Sequence, residues 1–397
     1  MQKTSLGLVM ALLAVASIAR AQMPDSATAT TRFGPFRIAP AVSLRDVGVD
    51  SNVFNEAVNP KSDFTMTFTP RVDSWLRAGR TLIWLAPSAD VVYFRTYSNQ
   101  RSLDRRINAR VERSWNRFVP WASGSLGRER QRTNHEFDTR VGRSSTEAAL
   151  GADLKVSPKV KVGTAVSRIT RRHDRDALAF GNNLSLLLDR TTETVSATGT
   201  YAWTPLTTIS VETQASRDRF PFSSDRDSDS VRVAAGLDFD PRALIAGRFK
   251  IGYRKFDGVG GGVPDFRGVT SMASLRTVVR TRTQLQLTLS RDLDYSFEAL
   301  YPYYVLTSTT LSVIPRLTQK WDVEGRFGMD RLAYEKFVGL SLPDRLVRFI
   351  RFGGGVGYHL GRNIRLAFNV DRERRRSPAE GQGYASFRSG MAVSFAR

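Results

Sequence analysis

Along most of this chain apolar and polar residues alternate one by one. Leu285, Leu287 and Leu289 are interleaved with Gln284, Gln286 and Thr288, and Ile364, Leu366, Phe368 and Val370 with Arg365, Ala367, Asn369 and Asp371. Phe64, Met66 and Phe68 alternate in the same way with Asp63, Thr65, Thr67 and Thr69. A strand turns successive side chains to opposite faces, so each such stretch predicts a ribbon with one oily and one polar face. Eight short turn signals separate the stretches, centred near residues 78, 116, 158, 205, 241, 281, 319 and 361, which places them 36 to 47 residues apart. That interval is one β-hairpin with a long loop at its far end. Long polar segments, among them 128–144, 171–183, 218–230, 257–266 and 371–383, fall between the short turns in strict alternation. Short turns at one end and long loops at the other are the signature of a transmembrane β-barrel, whereas sandwiches do not sort connections by end.

Two strands around each of eight turns, with one more at each end (about 36–49 and 384–395), predict an all-β, antiparallel up-and-down barrel of eighteen strands, with sixteen as the alternative. Fourteen stays open because the Leu186-Leu187-Leu188 run between Ala177 and Glu193 does not alternate. A barrel of sixteen to eighteen strands is wide enough for an aqueous channel.

All six tryptophans, Trp75, Trp84, Trp115, Trp121, Trp203 and Trp321, lie within a few positions of a short turn. An aromatic belt at one lipid–water interface would cluster them so. Parity turns Trp115, Trp203 and Trp321 outward, while Trp75 fits only with a bulge near Pro70. On the polar face Lys320, Asp322, Glu324 and Arg326 stand in a row opposite Trp321, Val323 and Phe327. Such a row is costly in a dry core but not in a wet lumen. The last strand carries Met391, Val393 and Phe395 after Gly390, similar to the assembly signal of outer-membrane barrels, except that Ala396 and Arg397 follow the aromatic.

The first residues read as a secretory leader. Lys3 precedes an apolar stretch from Leu6 to Ile18, and Ala19-Arg20-Ala21 is a small-x-small cleavage site. The expected division is therefore a signal peptide over 1–21, a short N-terminal periplasmic segment over 22–35 and the barrel over 36–397, localised to the outer membrane of a Gram-negative cell. No segment has the run of about 18 apolar residues of a membrane helix. The chain has no Cys, which excludes a disulfide framework and a thiolate metal site. Its formal charge is +21, from 59 Lys and Arg against 38 Asp and Glu. The arginines are spread over every hairpin with no recognition helix, so nucleic acid is not the expected partner.

Gly48-Val49-Asp50-Ser51-Asn52-Val53-Phe54, then Ser62-Asp63-Phe64 and Thr69-Pro70-Arg71-Val72, resemble the first hairpin of a family of outer-membrane β-barrel porins whose genes often lie in exopolysaccharide clusters. The resemblance implies a barrel in outer-membrane lipid, inserted by the barrel assembly machinery. It also implies a role in exporting a secreted polysaccharide together with periplasmic export proteins.

Catalytic options are thin. His135, His173 and His359 have acids nearby but no nucleophile–base set that singles itself out, so no enzyme is expected. Asp225, Asp227 and Asp229 alternate as Ca²⁺ ligands can, yet Arg226 and the missing Gly turn favour a solvated loop. Gly260-Gly261-Gly262 lacks the Lys-Ser and helix of a phosphate loop. No cofactor or metal is expected. The informative set is the polar face, where parity turns Arg71, Arg110, Lys159, Lys161, Arg232, Arg248, Lys250, Arg254, Arg276, Arg326 and Arg365 inward. A lumen so lined would favour an anionic polysaccharide or small anions. The competing reading pairs these cations with Asp63, Glu112, Asp238, Asp322, Glu324 and Asp371 and only stiffens the wall. A general or solute-specific anion porin, and a structural or adhesive barrel acting through its loops, remain the alternative functions.

Overall fold

A computed structural model of the chain describes Pro24, Ser26, Ala29 and residues 31–396, apart from 132–135, 137–139 and 362. The leader and its cleavage site lie outside the described residues. The elements in order are β1 (Thr31–Phe33), β2 (Phe36–Asp50), β3 (Asp63–Ala78), β4 (Thr81–Phe94), β5 (Ser102–Arg113), β6 (Phe118–Gln131), β7 (Val141–Lys155) and β8 (Val160–His173). A short hairpin, β9 (Leu178–Ala179) and β10 (Asn182–Asn183), and a single helix turn, α1 (Leu184–Leu188), follow. Then come β11 (Arg190–Thr204), β12 (Thr207–Arg219), β13 (Ser228–Phe239), β14 (Ile245–Gly258), β15 (Phe266–Val279) and β16 (Thr283–Tyr295). The last five are β17 (Tyr303–Pro315), β18 (Trp321–Glu335), β19 (Arg345–Leu360), β20 (Ile364–Arg376) and β21 (Tyr384–Ala396).

Eighteen of these, β2–β8 and β11–β21, close into one antiparallel barrel. Closure is made by β2, which pairs with β3 on one side and with β21 on the other, Leu44 facing Phe68 and Val393. Closing the sheet removes the unpaired edge that lipid could not satisfy. The strand bounds match the alternating stretches closely, because a barrel wall wet on one side and oily on the other imposes that alternation directly.

The ambiguous 177–193 stretch resolves into the β9–β10 hairpin and α1, so Leu186-Leu187-Leu188 does not alternate because it is helical. Asn183 caps that turn, its side-chain oxygen accepting from the Ser185 and Leu186 N–H groups at 3.0 and 3.3 Å. β8 then pairs directly with β11, Val166 facing Val195.

The tryptophans divide. Trp115, Trp203 and Trp321 are about half exposed on the outer face at the turn end, as an interfacial belt requires. Trp75, Trp84 and Trp121 are buried inside the barrel instead. The β3–β4 register runs without a shift past Pro70, so Trp75 faces inward on plain parity and the expected bulge there is absent. The bulge lies in β2 between Arg45 and Gly48, where Asp46 has φ of 56°. Trp121 lies flat over Gly151 on β7, so close that any Cβ at residue 151 would overlap the indole ring. Above it the Arg110 guanidinium lies 4.2 Å from the ring.

Candidate functional site in the lumen

The inner wall carries its charge in two ladders. On β18–β20, Asp322 accepts from Arg365 at 2.5 and 2.9 Å and contacts the His359 ring at 2.6 Å. One step along, Arg326 donates to Asp371 at 2.9 and 3.0 Å and pairs with Glu324 at 3.1 Å. Both Arg–Asp contacts are bidentate, the geometry that gives Arg its preference for carboxylates. These side chains cross β19 because every second residue there is glycine. Gly353, Gly355 and Gly357 form a trough, and a Cβ on Gly357 would stand 2.5 Å from Asp322 Oδ1 and 2.6 Å from the Arg365 guanidinium.

The second ladder spans β12–β16. Lys250 donates to Glu212 at 2.6 Å, Arg232 pairs with Glu212 at 3.3 Å and Asp292 at 3.6 Å, and Arg254 reaches Asp292 at 2.8 Å. Arg248 pairs with Asp238. Arg232 also donates to Gln214 at 2.8 Å.

Of the expected lining residues, Arg71 pairs with Asp73 at 2.9 Å and Arg110 with Glu112 at 3.4 Å, both on the inward parity. Eight of the eleven, namely Arg71, Arg110, Arg232, Arg248, Lys250, Arg254, Arg326 and Arg365, therefore hold a carboxylate. Lys161 is exposed at the start of β8, and Lys159 lies in the β7–β8 turn rather than in the wall. Arg276 stands opposite Ala246 and Gln286 on the inward parity and makes no ion pair with another described residue. Of the acids weighed against them, Asp63 takes no arginine among the described residues. It accepts the backbone N–H groups of Phe64, Thr96 and Tyr97 at 2.8 to 3.0 Å and so fastens the loop after β4.

At the loop end the interior is filled. Leu184 and Leu188 of α1, Phe220, Phe256, Phe297, Tyr295 and Tyr303 form one buried apolar cluster; Tyr301, Tyr304, Leu332, Tyr334, Val347 and Phe349 form a second. Three loops interlock over them. Arg226, buried in the loop after β12, donates to the carbonyls of Ser296 (2.5 Å) and Glu298 (2.6 Å) in the loop after β16. Arg345 at the start of β19 ties Glu298 at 2.8 Å and Gln382 at 2.6 Å. Glu136, from the loop after β6, accepts from the Phe297 N–H at 2.9 Å and from the Ser296 hydroxyl. Complete burial pushes the Glu136 carboxyl up to about 8, against its hydrogen bonds from Ser296 and Phe297. Below the loops Arg190 on β11 reaches Asp294 on β16 at 3.6 Å, a pair that spans five strands of the wall.

Among the described residues no group of three or more His, Asp and Glu is arranged to hold a metal ion. Asp227 and Asp229 bind Arg219 at 3.9 and 2.8 Å, and Asp227 also accepts the Phe220 N–H. His173 packs against Asp189, with Nδ1 3.0 Å from Oδ1. His135 and Asp138 lie outside the described residues.

A closed eighteen-strand barrel, with a belt of outward tryptophans, a charged inner wall and loops gathered at one end, matches one family over residues 24–397, that of "Putative beta-barrel porin 2". The chain belongs to that porin family. It is an outer-membrane β-barrel of the porin type. No curated protein matches it. Among solved structures it is similar to a BenF-like porin from Pseudomonas fluorescens Pf-5, with 9% identity, TM-score 0.52, and 91% of this chain against 99% of that one. OpdL of Pseudomonas aeruginosa aligns at 12% identity and TM-score 0.49 over 91% and 98% of the two chains. The FrpB iron transporter of Neisseria meningitidis aligns at 9% identity and TM-score 0.46 over 89% of this porin, which spans 64% of that longer chain. At such identities the likeness to the BenF-like porin shows the fold alone.

Proposed function

We propose that this porin is a gated conduit for an anionic, oxygen-rich solute, an acidic polysaccharide leaving the cell, and that it acts without catalysis. The observation that carries the reading is the pair of charge ladders under an interlocked cap. Each Arg–carboxylate contact on the wall is one that a uronate or phosphate group of a passing polymer can replace. Exchanging one carboxylate partner for another costs little, so many weak contacts draw the chain in without trapping it. The Ser and Thr hydroxyls in and beside the second ladder, among them Thr194, Ser210, Ser216 and Ser230, offer hydrogen bonds to sugar hydroxyls. The interlocked loops suit a regulated exporter more than a permanently open diffusion porin. In this reading residues 1–21 are removed as a leader, 22–35 lie in the periplasm, and periplasmic export proteins deliver the polymer at the turn end.

The test is conductance of the refolded protein in a planar bilayer, with reversal potential under a KCl gradient and titration of acidic oligosaccharides. Gated, anion-preferring conductance blocked by acidic but not neutral sugars is expected. Steady open conductance indifferent to acidic sugars would instead identify an anion diffusion porin. A folded barrel silent under every condition would assign the function to the external loops.

A further inference from the structure

The lumen compensates most of its arginines; the outer face of β18–β20 does not. Outward residues on β18 run Trp321, Val323, Phe327, Met329 and then Arg331. On β19 they run Tyr358, Val356, Phe352, Ile350 and then Arg348, and on β20 Leu366, Phe368, Val370 and then Arg372, Arg374 and Arg376. The register sets these cations side by side: Arg331 faces Arg348, Arg348 faces Arg376, and Arg374 and Arg372 stand opposite Ile350 and Phe352. All five are exposed, and their guanidinium groups make no hydrogen bond or ion pair with another described residue. Glu335, at the end of β18, is the acid that shares their parity on these three strands. Like charges directly across a ladder are destabilising unless something neutralises them.

The outer face of β8–β14 shows how this protein neutralises such cations elsewhere. There Arg168 pairs with Glu193 at 3.6 Å, Arg219 with Asp229 at 2.8 Å and Lys255 with Asp257 at 2.9 Å. On β18–β20 no built-in acid does so, and the strand face looks directly into the membrane. The depth of the patch identifies what lies against it. Ten residues separate the interfacial Trp321 from Arg331 on β18. At about 3.3 Å per residue and a tilt near 40° this is roughly 25 Å along the barrel axis, the height of the apolar band. Arg331, Arg348 and Arg376 thus stand at the headgroup level of the leaflet on the loop side, with Met329, Ile350, Phe352 and Phe368 on the same outer faces toward acyl-chain depth, and Arg374 and Arg372 stand two and four residues deeper along β20 than Arg376.

We propose that Arg331, Arg348, Arg372, Arg374 and Arg376 form a binding site for a phosphate-bearing glycolipid of the outer leaflet, its phosphates bridging the cross-strand arginines and its acyl chains covering the apolar residues below. Guanidinium forks bind phosphate oxygens bidentately, and one headgroup with two phosphates spans neighbouring strands. The site is independent of what crosses the lumen; it rests only on the loop end facing outward.

The test uses the refolded full barrel in nanodiscs and a panel of lipids. Native mass spectrometry is expected to show the phosphorylated glycolipid retained through delipidation, with its dephosphorylated form, phosphatidylglycerol and phosphatidylcholine lost. Replacing Arg348, Arg374 and Arg376 by Gln is expected to lower retention about tenfold or more, as the loss of several charge-assisted contacts should. Replacing Arg168 and Arg219 by Gln should leave it unchanged. Equal retention of the dephosphorylated lipid or of phosphatidylglycerol would overturn the proposal. So would release of the lipid by millimolar inorganic phosphate, which would make this a site for the free anion. The wild-type lipid panel decides the matter even where the triple variant does not refold.

Discussion

Glu136 links the loop cap to pH. Its carboxyl is fully buried against Ser296 and Phe297, faces the charges of Glu298 and Arg226 and the hydroxyls of Tyr304 and Tyr334, and titrates at about 8 instead of 4.5. When the loop lifts away the group returns to its ordinary value. Below pH 4.5 the carboxyl is protonated both seated and released, and the cap has its full stability. Between the two values the released group ionises while the seated one cannot, so each pH unit favours opening by about 1.4 kcal/mol. Over the range between the two values the whole effect is of order 5 kcal/mol, fully developed above pH 8. Open probability in a planar bilayer is therefore expected to rise steeply as the loop-side compartment is taken from about pH 5 to about pH 9. Glu136→Gln keeps an oxygen to accept from Phe297 but never ionises, so its open probability should be low and flat over that range. A variant with wild-type pH dependence, or a wild type that opens as pH falls, would refute this account of the cap.

The wall makes three further predictions. Arg276→Glu is expected to shift the reversal potential toward cations while moving stability by less than about 0.5 kcal/mol, because no carboxylate among the described residues depends on it. Arg365→Gln should cost about 2 kcal/mol in denaturant unfolding, since it strips the buried Asp322 of two charge-assisted hydrogen bonds and leaves it the His359 contact. Gly357→Ala places a methyl group against Asp322 and Arg365, so a loss of about 1–3 kcal/mol is expected, with a change in the acidic-sugar block; wild-type behaviour in both would refute the trough.

The barrel was legible in the sequence because its physics is local. A strand between lipid and water must alternate residue by residue, and a hairpin must turn within a few residues, so both patterns stand in the chain without knowledge of distant partners. The first strand from Phe36 and the last from Tyr384 follow from that alternation, whereas the choice of eighteen strands over sixteen or fourteen waited on the closed sheet, because the 177–193 stretch does not alternate. Parity also decides which face a side chain takes, and it put Arg326, Arg365 and Arg254 on the inner wall. What parity cannot supply is the partner. That Arg254 reaches Asp292 two strands away, or Arg190 reaches Asp294 across the bore, depends on how the closed sheet brings remote residues together. The sequence therefore leaves open whether an inward arginine faces solvent or a carboxylate, and the assembled wall decides it.

The same limit explains the tryptophans and the loops. Proximity to a turn is visible in the chain, but Trp75, Trp84 and Trp121 are inside because small neighbours such as Ala86 and Gly151 leave room there, a fact about packing. The cap is non-local in the same way: Glu136, Arg226 and Phe297 come from three loops spread over about 160 residues and meet only once the barrel has closed. The one signal the chain offers is the Tyr301-Pro302-Tyr303-Tyr304 run, apolar and aromatic where solvated external loops are polar. The sequence by itself determined the barrel, narrowed its strand count and set the face of most wall residues, because those are nearest-neighbour consequences of a two-solvent environment. The tertiary structure alone decided which charges are neutralised, which loops fill the mouth and where arginines stay uncompensated, because those are contacts between residues that only the closed sheet brings together.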